Sequence, residues 1–357
     1  MHNPTQGGRL CFIADGQSVH TRRWLEAMVA RGFEVHLITD RPAGIAGVTL
    51  HPLALRRSTL GWFAAIPAVR RLVRAIDPDL VHGHYVTSYG MLAAASGVHP
   101  LLLTAWGSDL LLSPRQNRLV HLLTGLILRR ADYITADAID VIEAIGDYHP
   151  RCPVEQVQWG IELDRFPPPL ARTHAGIRFI SLRSWEPLYQ IPTLVRAFAE
   201  AAGKIGDCHL DLVGGGSQEA ELRALVRELH LEERVTFHGF VNEARLRALL
   251  AAADVSISVP CADGTAMSLL ESMAAGLPAI VSDLPANRQW IDREGGAVVP
   301  VGEVSPLAAA MVRLADDGEA RHAAGLRNRR RVEQDADRRL EMDRVSARYR
   351  QLIRSCA

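Results

Sequence analysis

Lysine is nearly missing from this chain. Lys204 stands alone among 40 Lys and Arg residues, so almost every fixed cation is a guanidinium. The 40 acids balance that charge, which gives no reason to expect a nucleic-acid partner. Cysteine is sparse and scattered: Cys11, Cys152, Cys208, Cys261 and Cys356 form no CxxC pair. That spacing argues against zinc and for reduced thiols in a cytosolic protein. Long apolar runs are absent too. The most apolar stretch, LVHLLTGLILRR, is too short and mixed to span a bilayer, and the start MHNPTQGGRL is too polar for a secretory leader. The expectation is a soluble or peripheral protein.

What the chain does have is alternation. At 357 residues it is long enough for two or three domains, each with its own core. RLCFIAD, FEVHLITD, VTLHPL, DLVHGHY, PLLLTAWG, DYITADA and VEQVQWG read as strands, most of them separated by amphipathic helical segments. RFPPPLARTHAGIR, with three consecutive prolines, reads as a linker. The alternation then restarts with RFISLR, CHLDLVGGG, RVTFHGF, VSISVP, PAIVSD and AVVPV. The predicted class is α/β, with two doubly wound, Rossmann-like domains facing each other across a cleft. Expected bounds are 1–166, a linker over 167–176, a second domain over 177–330, and a helical tail over 331–357.

The most informative stretch is Pro260–Asp283, PCADGTAMSLLESMAAGLPAIVSD. It reads as the end of a strand, a glycine turn at Gly264, a helix from about Thr265 to Ala275, and a second strand. Gly276 and Pro278 stop the helix. Between Asp263 and Asp283 the sole charged residue is Glu271, among small and apolar neighbours. It either has a buried partner or reaches solvent, as helical glutamates usually do. The backbone amides of Thr265, Ala266 and Met267 open a helix and suit an anion such as phosphate. An anion site between carboxylates suits a ligand carrying both phosphate and hydroxyls.

Asp263 and Glu271, eight positions apart, with the glycine turn and E-S-M-A-A-G-L-P, resemble the signature of the family-four retaining glycosyltransferases of GT-B fold. Asp263 stands where that family usually has Glu, one methylene longer. The resemblance implies that Asp263 and the Gly264–Met267 amides meet the donor sugar and phosphates, and that Glu271 meets the nucleotide ribose. It extends over most of the chain. Arg183 fits the family's diphosphate-binding Arg, whereas Leu188 occupies the position of its Lys. Gly214 and Gly215 fit the glycine cluster beside the nucleotide, and Phe240 fits a residue near the base, or simply fills core. In the loop ADGQSVHTRRW a single Gly16 replaces a Gly-Gly pair, and Ser18 or Thr21 can cap the helix. Either Arg22 or Arg23, as phosphate candidates, makes up for the missing Lys, or Arg183 and the helix amides bind the diphosphate without it. Trp106 stands where the family commonly has a His facing the reacting sugar. His20 and His84 are the substitutes, left unranked by the sequence. Asp109 either orients an acceptor hydroxyl or caps a turn.

Two other features compete for attention. His82 and His84 point the same way along one strand, but no third ligand accompanies them, so no metal is expected. Asp77–Asp79, DPD, imitates a metal-binding DxD yet sits where Asp-Pro marks a turn.

The implied activity is sugar transfer from a nucleotide diphosphate sugar to the hydroxyl of a sugar, lipid-linked or small-molecule acceptor. Anomeric configuration would be retained without a cofactor or metal, as in polysaccharide or glycolipid synthesis. A nucleotide-sugar epimerase or phosphorylase, or a non-catalytic sugar-nucleotide scaffold, are the rivals. Leu110–Leu112 and nearby arginines read either as a peripheral contact at the inner membrane face or as a core with its rim.

Overall fold

The structure, a computed structural model, describes residues 7–107, 110, 117–158, 160–166 and 175–356. Asp109, Trp159 and most of the proline-rich linker therefore lie outside the described residues. Each of the apolar runs predicted as a strand is one. The first sheet holds β1 (Arg9–Ile13), β2 (Glu34–Thr39), β3 (Val48–Pro52), β4 (Leu80–His84), β5 (Leu101–Ala105), β6 (Tyr133–Ala136) and β7 (Val154–Gln156). Its order is β3-β2-β1-β4-β5-β6-β7, all parallel. The second holds β8 (Ile177–Ser181), β9 (Cys208–Val213), β10 (Val235–Gly239), β11 (Val255–Ser258), β12 (Ala279–Ser282) and β13 (Gly296–Val299). Its order is β10-β9-β8-β11-β12-β13, again parallel. Central strands such as β4, β5, β11 and β12 are buried at every residue, because helices cover both faces of a parallel sheet.

The chain divides into two compact units, residues 1–159 with 339–357, and residues 160–338. Two stretches assigned otherwise by the sequence belong to the second unit. Ile161 and Phe166 pack in one cluster with Ile180, Leu270, Val332 and Ala336. The two passages of chain are also tied by backbone bonds, Ile161 N to Ala336 O (2.7 Å) and Arg338 N to Ile161 O (3.1 Å). Gly160 sits between them at φ +71°, and a Cβ there would lie 2.3 Å from the Arg338 Cα. Close backbone approach is what this glycine permits.

The charged tail is two helices, Gly318–Asp335 and Arg338–Cys356, interrupted at Ala336–Asp337. The second packs on the first unit: Met342, Val345 and Tyr349 share a core with Leu10, Trp24 and Phe33. Tyr349 is fully buried, and its hydroxyl accepts from Trp24 Nε1 (2.9 Å). An indole N–H can only donate, so the tyrosine proton goes to His82 Nδ1 (2.7 Å). His82 is thereby the Nε2–H tautomer, donating to Thr104 Oγ1 (2.6 Å), which in turn meets Thr135 Oγ1 (2.7 Å). A buried polar chain thus joins the last helix to three strands.

Candidate active site

Each doubly wound sheet has one place where the strand order reverses, and ligands gather outside the carboxyl ends of the strands there. In the second sheet the chain runs from β8 outward through β9 to β10, then returns to place β11 on the other side of β8. The reversal lies between β8 and β11. Arg183 follows β8, and Asp263 to Met267 follow β11.

Arg183 is buried, and its Nη2 donates to Asp263 Oδ2 (2.5 Å) and its Nη1 to Ser268 Oγ (3.1 Å). The guanidinium also lies 4.3 Å over the Tyr189 ring. Burial raises the Asp263 carboxyl, and the charge and hydrogen bond of Arg183 oppose that rise. The helix is shorter than predicted, Met267–Ala274, because Thr265 lies in a bend and the cap residue Ala266 stays extended (φ −71°, ψ 118°), both of them buried. Ala266 has no side chain to satisfy the first-turn amides, so that end of the helix keeps its anion-binding character. Glu271, one turn on, is half-buried. The small residues around it have a packing reason: a Cβ on Gly325 would come 2.1 Å from Gly276 O, so the helix Gly318–Asp335 crosses in backbone contact.

The glycine cluster is only partly open. A Cβ on Gly214 would lie 2.6 Å from Arg183 O and one on Gly216 2.5 Å from Trp185 O, so the protein's own backbone fills both spaces. Gly215 differs, because its missing side chain makes room for the Phe240 ring, 2.7 Å from where a Cβ would be. Phe240 is 84% exposed, which overturns the core reading. It is an apolar face set over Gly215. Leu188, in place of a lysine, sits in the short turn Pro187–Tyr189, and its carbonyl accepts from Cys261 N (2.9 Å). That turn contributes no cation and instead positions the Tyr189 ring under Arg183.

In the first sheet the reversal lies between β1 and β4. Gly16 follows β1, donating to Thr39 Oγ1 (3.0 Å), and a Cβ there would meet Arg41 O at 2.6 Å. Ser18 caps the helix Val19–Ala30. Thr21 does not cap: its hydroxyl meets His84 Nδ1 (3.3 Å). His20 and His84 come together around Trp106, at ring separations of 5.5 and 5.1 Å. His84 is 0% exposed and its Nε2 has no hydrogen-bond partner, with its pKa lowered to about 3 by burial and by His20. A side chain with no surface cannot touch a substrate, so His84 is withdrawn as a catalytic candidate. His20, half-buried and lowered to about 4 by burial and by Arg23, is the histidine beside the Trp106 position. Arg22 is exposed and Arg23 half-buried. Among the described residues no group of three or more His, Cys, Asp or Glu is arranged to hold a metal. Asp77 is a left-handed helix cap (φ 50°), and Asp79 Oδ2 accepts from Arg9 N (2.7 Å), so DPD is a turn. Leu110 is buried, and Leu111 and Leu112 lie outside the described residues, which leaves that loop no described membrane contact.

The sequence reading missed a polar cluster at the ends of β1 and β2. Tyr89 OH donates to Asp40 Oδ1 (2.5 Å), and Arg57 donates to Asp40 Oδ2 (2.8 Å) and to the Tyr89 oxygen (2.8 Å). Arg41 donates to Asp15 Oδ2 (2.9 Å). The signal was available: both RLCFIAD and FEVHLITD end in an aspartate at the site end of the sheet.

Comparison with known proteins decides the family. A family model described as "Glycosyl transferase 4-like" matches residues 9–138, and one described as "Glycosyl transferases group 1" matches residues 177–317. The chain belongs to the group 1 glycosyltransferases. Over 91% of both chains it is 23% identical to N-acetyl-alpha-D-glucosaminyl L-malate synthase of Bacillus anthracis. It is 28% identical to the GDP-mannose-dependent alpha-(1-6)-phosphatidylinositol monomannoside mannosyltransferase of Mycobacterium tuberculosis, covering 57% of this chain and 58% of that one. Among solved structures, sucrose-phosphate synthase of Thermosynechococcus elongatus superposes with a TM-score of 0.83 at 20% identity, covering 98% of this chain and 100% of that one. Anabaena HepE in complex with UDP gives 0.79 at 15% identity, covering 97% and 100%. The fold of this glycosyltransferase is GT-B, two Rossmann-like units with parallel sheets of seven and six strands.

Proposed function

We propose that this glycosyltransferase moves a sugar from a nucleoside diphosphate sugar to an acceptor hydroxyl with retention of anomeric configuration. The observation that carries the reading is the pairing of the buried Arg183 with the half-buried Asp263, beside a helix start without a side-chain cap at the reversal of the second sheet. Departure of the diphosphate needs fixed positive charge, and Arg183 with the amides of Gly264–Met267 supplies it. Asp263 turns to the sugar hydroxyls when the diphosphate takes over Arg183. Glu271 holds the ribose, and Phe240 over Gly215 offers the base an apolar face. Leu188 adds no charge, so Arg183 and the amides carry the phosphates. His20 stays neutral near neutral pH and offers an imidazole hydrogen bond to the reacting sugar. Asp109 orients the acceptor hydroxyl. No nucleophilic carboxylate pair is needed if the departing phosphate accepts the acceptor's proton, and the reading uses no metal. Named relatives that use GDP-mannose or act on phosphatidylinositol mannosides support a nucleotide-sugar donor and a glycoconjugate product.

The test is a panel of UDP-, GDP- and ADP-sugars with chelator present, read by thermal shift and by nucleoside diphosphate release. One donor should stabilise the protein and be slowly hydrolysed, and Glu271→Ala should abolish the shift. Stabilisation by none of them would sink the donor assignments.

A further inference from the structure

Arg183 is held by three partners of different kinds, and one of them alone is an anion. Its Nη2 donates to Asp263 Oδ2 (2.5 Å), its Nη1 donates to Ser268 Oγ (3.1 Å), and its Cζ lies 4.3 Å from the centroid of the Tyr189 ring. Its Nε is buried and has no hydrogen-bond partner among the described residues. The two neutral partners are themselves fixed. Tyr189 ends the short turn Pro187–Tyr189, its amide donating to Glu186 O (2.9 Å). Its side chain packs against the core cluster that includes Trp185, Leu194 and Phe198. Cys261 N donates to Leu188 O (2.9 Å), which anchors this turn to the loop that carries Asp263. Ser268 lies in the first turn of the helix Met267–Ala274, and two further hydroxyls back it. Ser256 Oγ donates to Ser272 Oγ (2.9 Å), and Ser272 Oγ donates to Ser268 O (2.8 Å).

We propose that Tyr189 and Ser268 are positioning residues that keep the Arg183 guanidinium in place while its anionic partner changes from Asp263 to the donor diphosphate, an inference that rests on the diphosphate assignment above. When the carboxylate lets go, an arginine with no other hold would lose its orientation at the moment its charge is needed. A ring over its face and a hydroxyl at its edge fix the plane of the fork. Both are neutral, so they cancel none of its charge, as a second carboxylate would. The open Nε–H is then a buried donor that a phosphate oxygen satisfies. Where a lysine at the position of Leu188 would add a second cation, this chain immobilises the one it has.

Titration calorimetry of UDP, GDP and ADP, each beside its free nucleoside, on the full chain and four variants tests these roles. Arg183→Ala probes the underlying assignment and should weaken the bound diphosphate about a hundredfold. Tyr189→Leu should weaken the same diphosphate about tenfold and its nucleoside by less than about twofold. Equal loss of both would mean general damage to the site and would overturn the positioning role. Tyr189→Phe keeps the ring and should recover the parent's affinity to within about threefold. If it loses as much as Tyr189→Leu, the ring is not the contact and the role of Tyr189 is refuted. Ser268→Ala removes the acceptor of Nη1 and should weaken the diphosphate about tenfold. This small change at a half-buried position tests the same clamp should Tyr189→Leu fail to fold. If Arg183→Ala weakens the diphosphate and either Tyr189→Leu or Ser268→Ala does not, that residue's role is refuted while the diphosphate assignment stands. If Arg183→Ala has no effect, or no diphosphate binds, the assignment falls and both positioning roles fall with it.

Discussion

Acidification from pH 7 to pH 5 should destabilise the first unit through its histidines, before its carboxylates titrate. His82 and His84 are fully buried, the first lowered well below 6.5 and the second to about 3, and His20 is lowered to about 4. Burial is the first cause in all three. In the unfolded chain each takes up a proton near pH 6.5, whereas in the native state it remains neutral. Unfolding therefore binds protons between about pH 6.5 and 4, and stability must rise with pH across that window. A histidine unprotonated in the fold and protonated when unfolded costs about 2 kcal/mol at pH 5. His82 and His84 together cost about 4 kcal/mol, a large share of the 5–15 kcal/mol typical of a domain. Raised carboxyls such as Asp263 and Glu341 act in the opposite direction, but on proton uptake at the acid end of the window. Urea denaturation at pH 7, 6 and 5, followed with histidine proton resonances in the native state, checks both halves of the argument. Near pH 5.5 the slope from these two residues should be about 2.5 kcal/mol per pH unit, and His84→Asn should reduce it by about half. A flat profile between pH 5 and 6.5, or a native His84 resonance titrating near pH 6.5, would refute the reasoning.

Tyr349→Phe removes the acceptor of Trp24 Nε1 and the donor to His82 Nδ1. Two buried polar groups lose partners, so chemical denaturation should show a loss of about 2–4 kcal/mol, with no change in donor thermal shift. Gly160→Ala puts a Cβ on a positive-φ residue 2.3 Å from the Arg338 backbone. A loss of at least about 2 kcal/mol is expected in a melting experiment, and a neutral result would mean that this junction relaxes freely. Asp263→Asn keeps the shape of the site but frees Arg183 from its carboxylate. Titration calorimetry should show nucleoside diphosphate binding equal to or tighter than the parent's, while sugar transfer falls by about a hundredfold or more. Weaker diphosphate binding in a folded variant would assign Arg183 elsewhere.

The sequence by itself determined the strands found among the described residues, their parallel arrangement in two sheets, and the strand–turn–helix unit around Gly264. Largely apolar strand runs separated by amphipathic helices have few ways to bury themselves, and Asp263, Gly264, Glu271 and Gly276 are close enough in sequence for spacing to carry meaning. Other features required tertiary structure because they join residues far apart in the chain. Arg183 meets Asp263 across 80 positions and Tyr349 meets His82 across 267. No local pattern says that Phe240 is exposed over Gly215 and not in the core, that His84 is sealed off while His20 keeps surface, or that Gly160–Phe166 belongs with Val332 and Ala336. Nor does the order of residues show that the helices Ile66–Ile76 and Arg118–Leu128 both pack against Tyr89–Ser96. Periodicity records which side of an element is apolar. Which distant element covers that side, and which apolar side is left uncovered, is settled when the sheets close their cores.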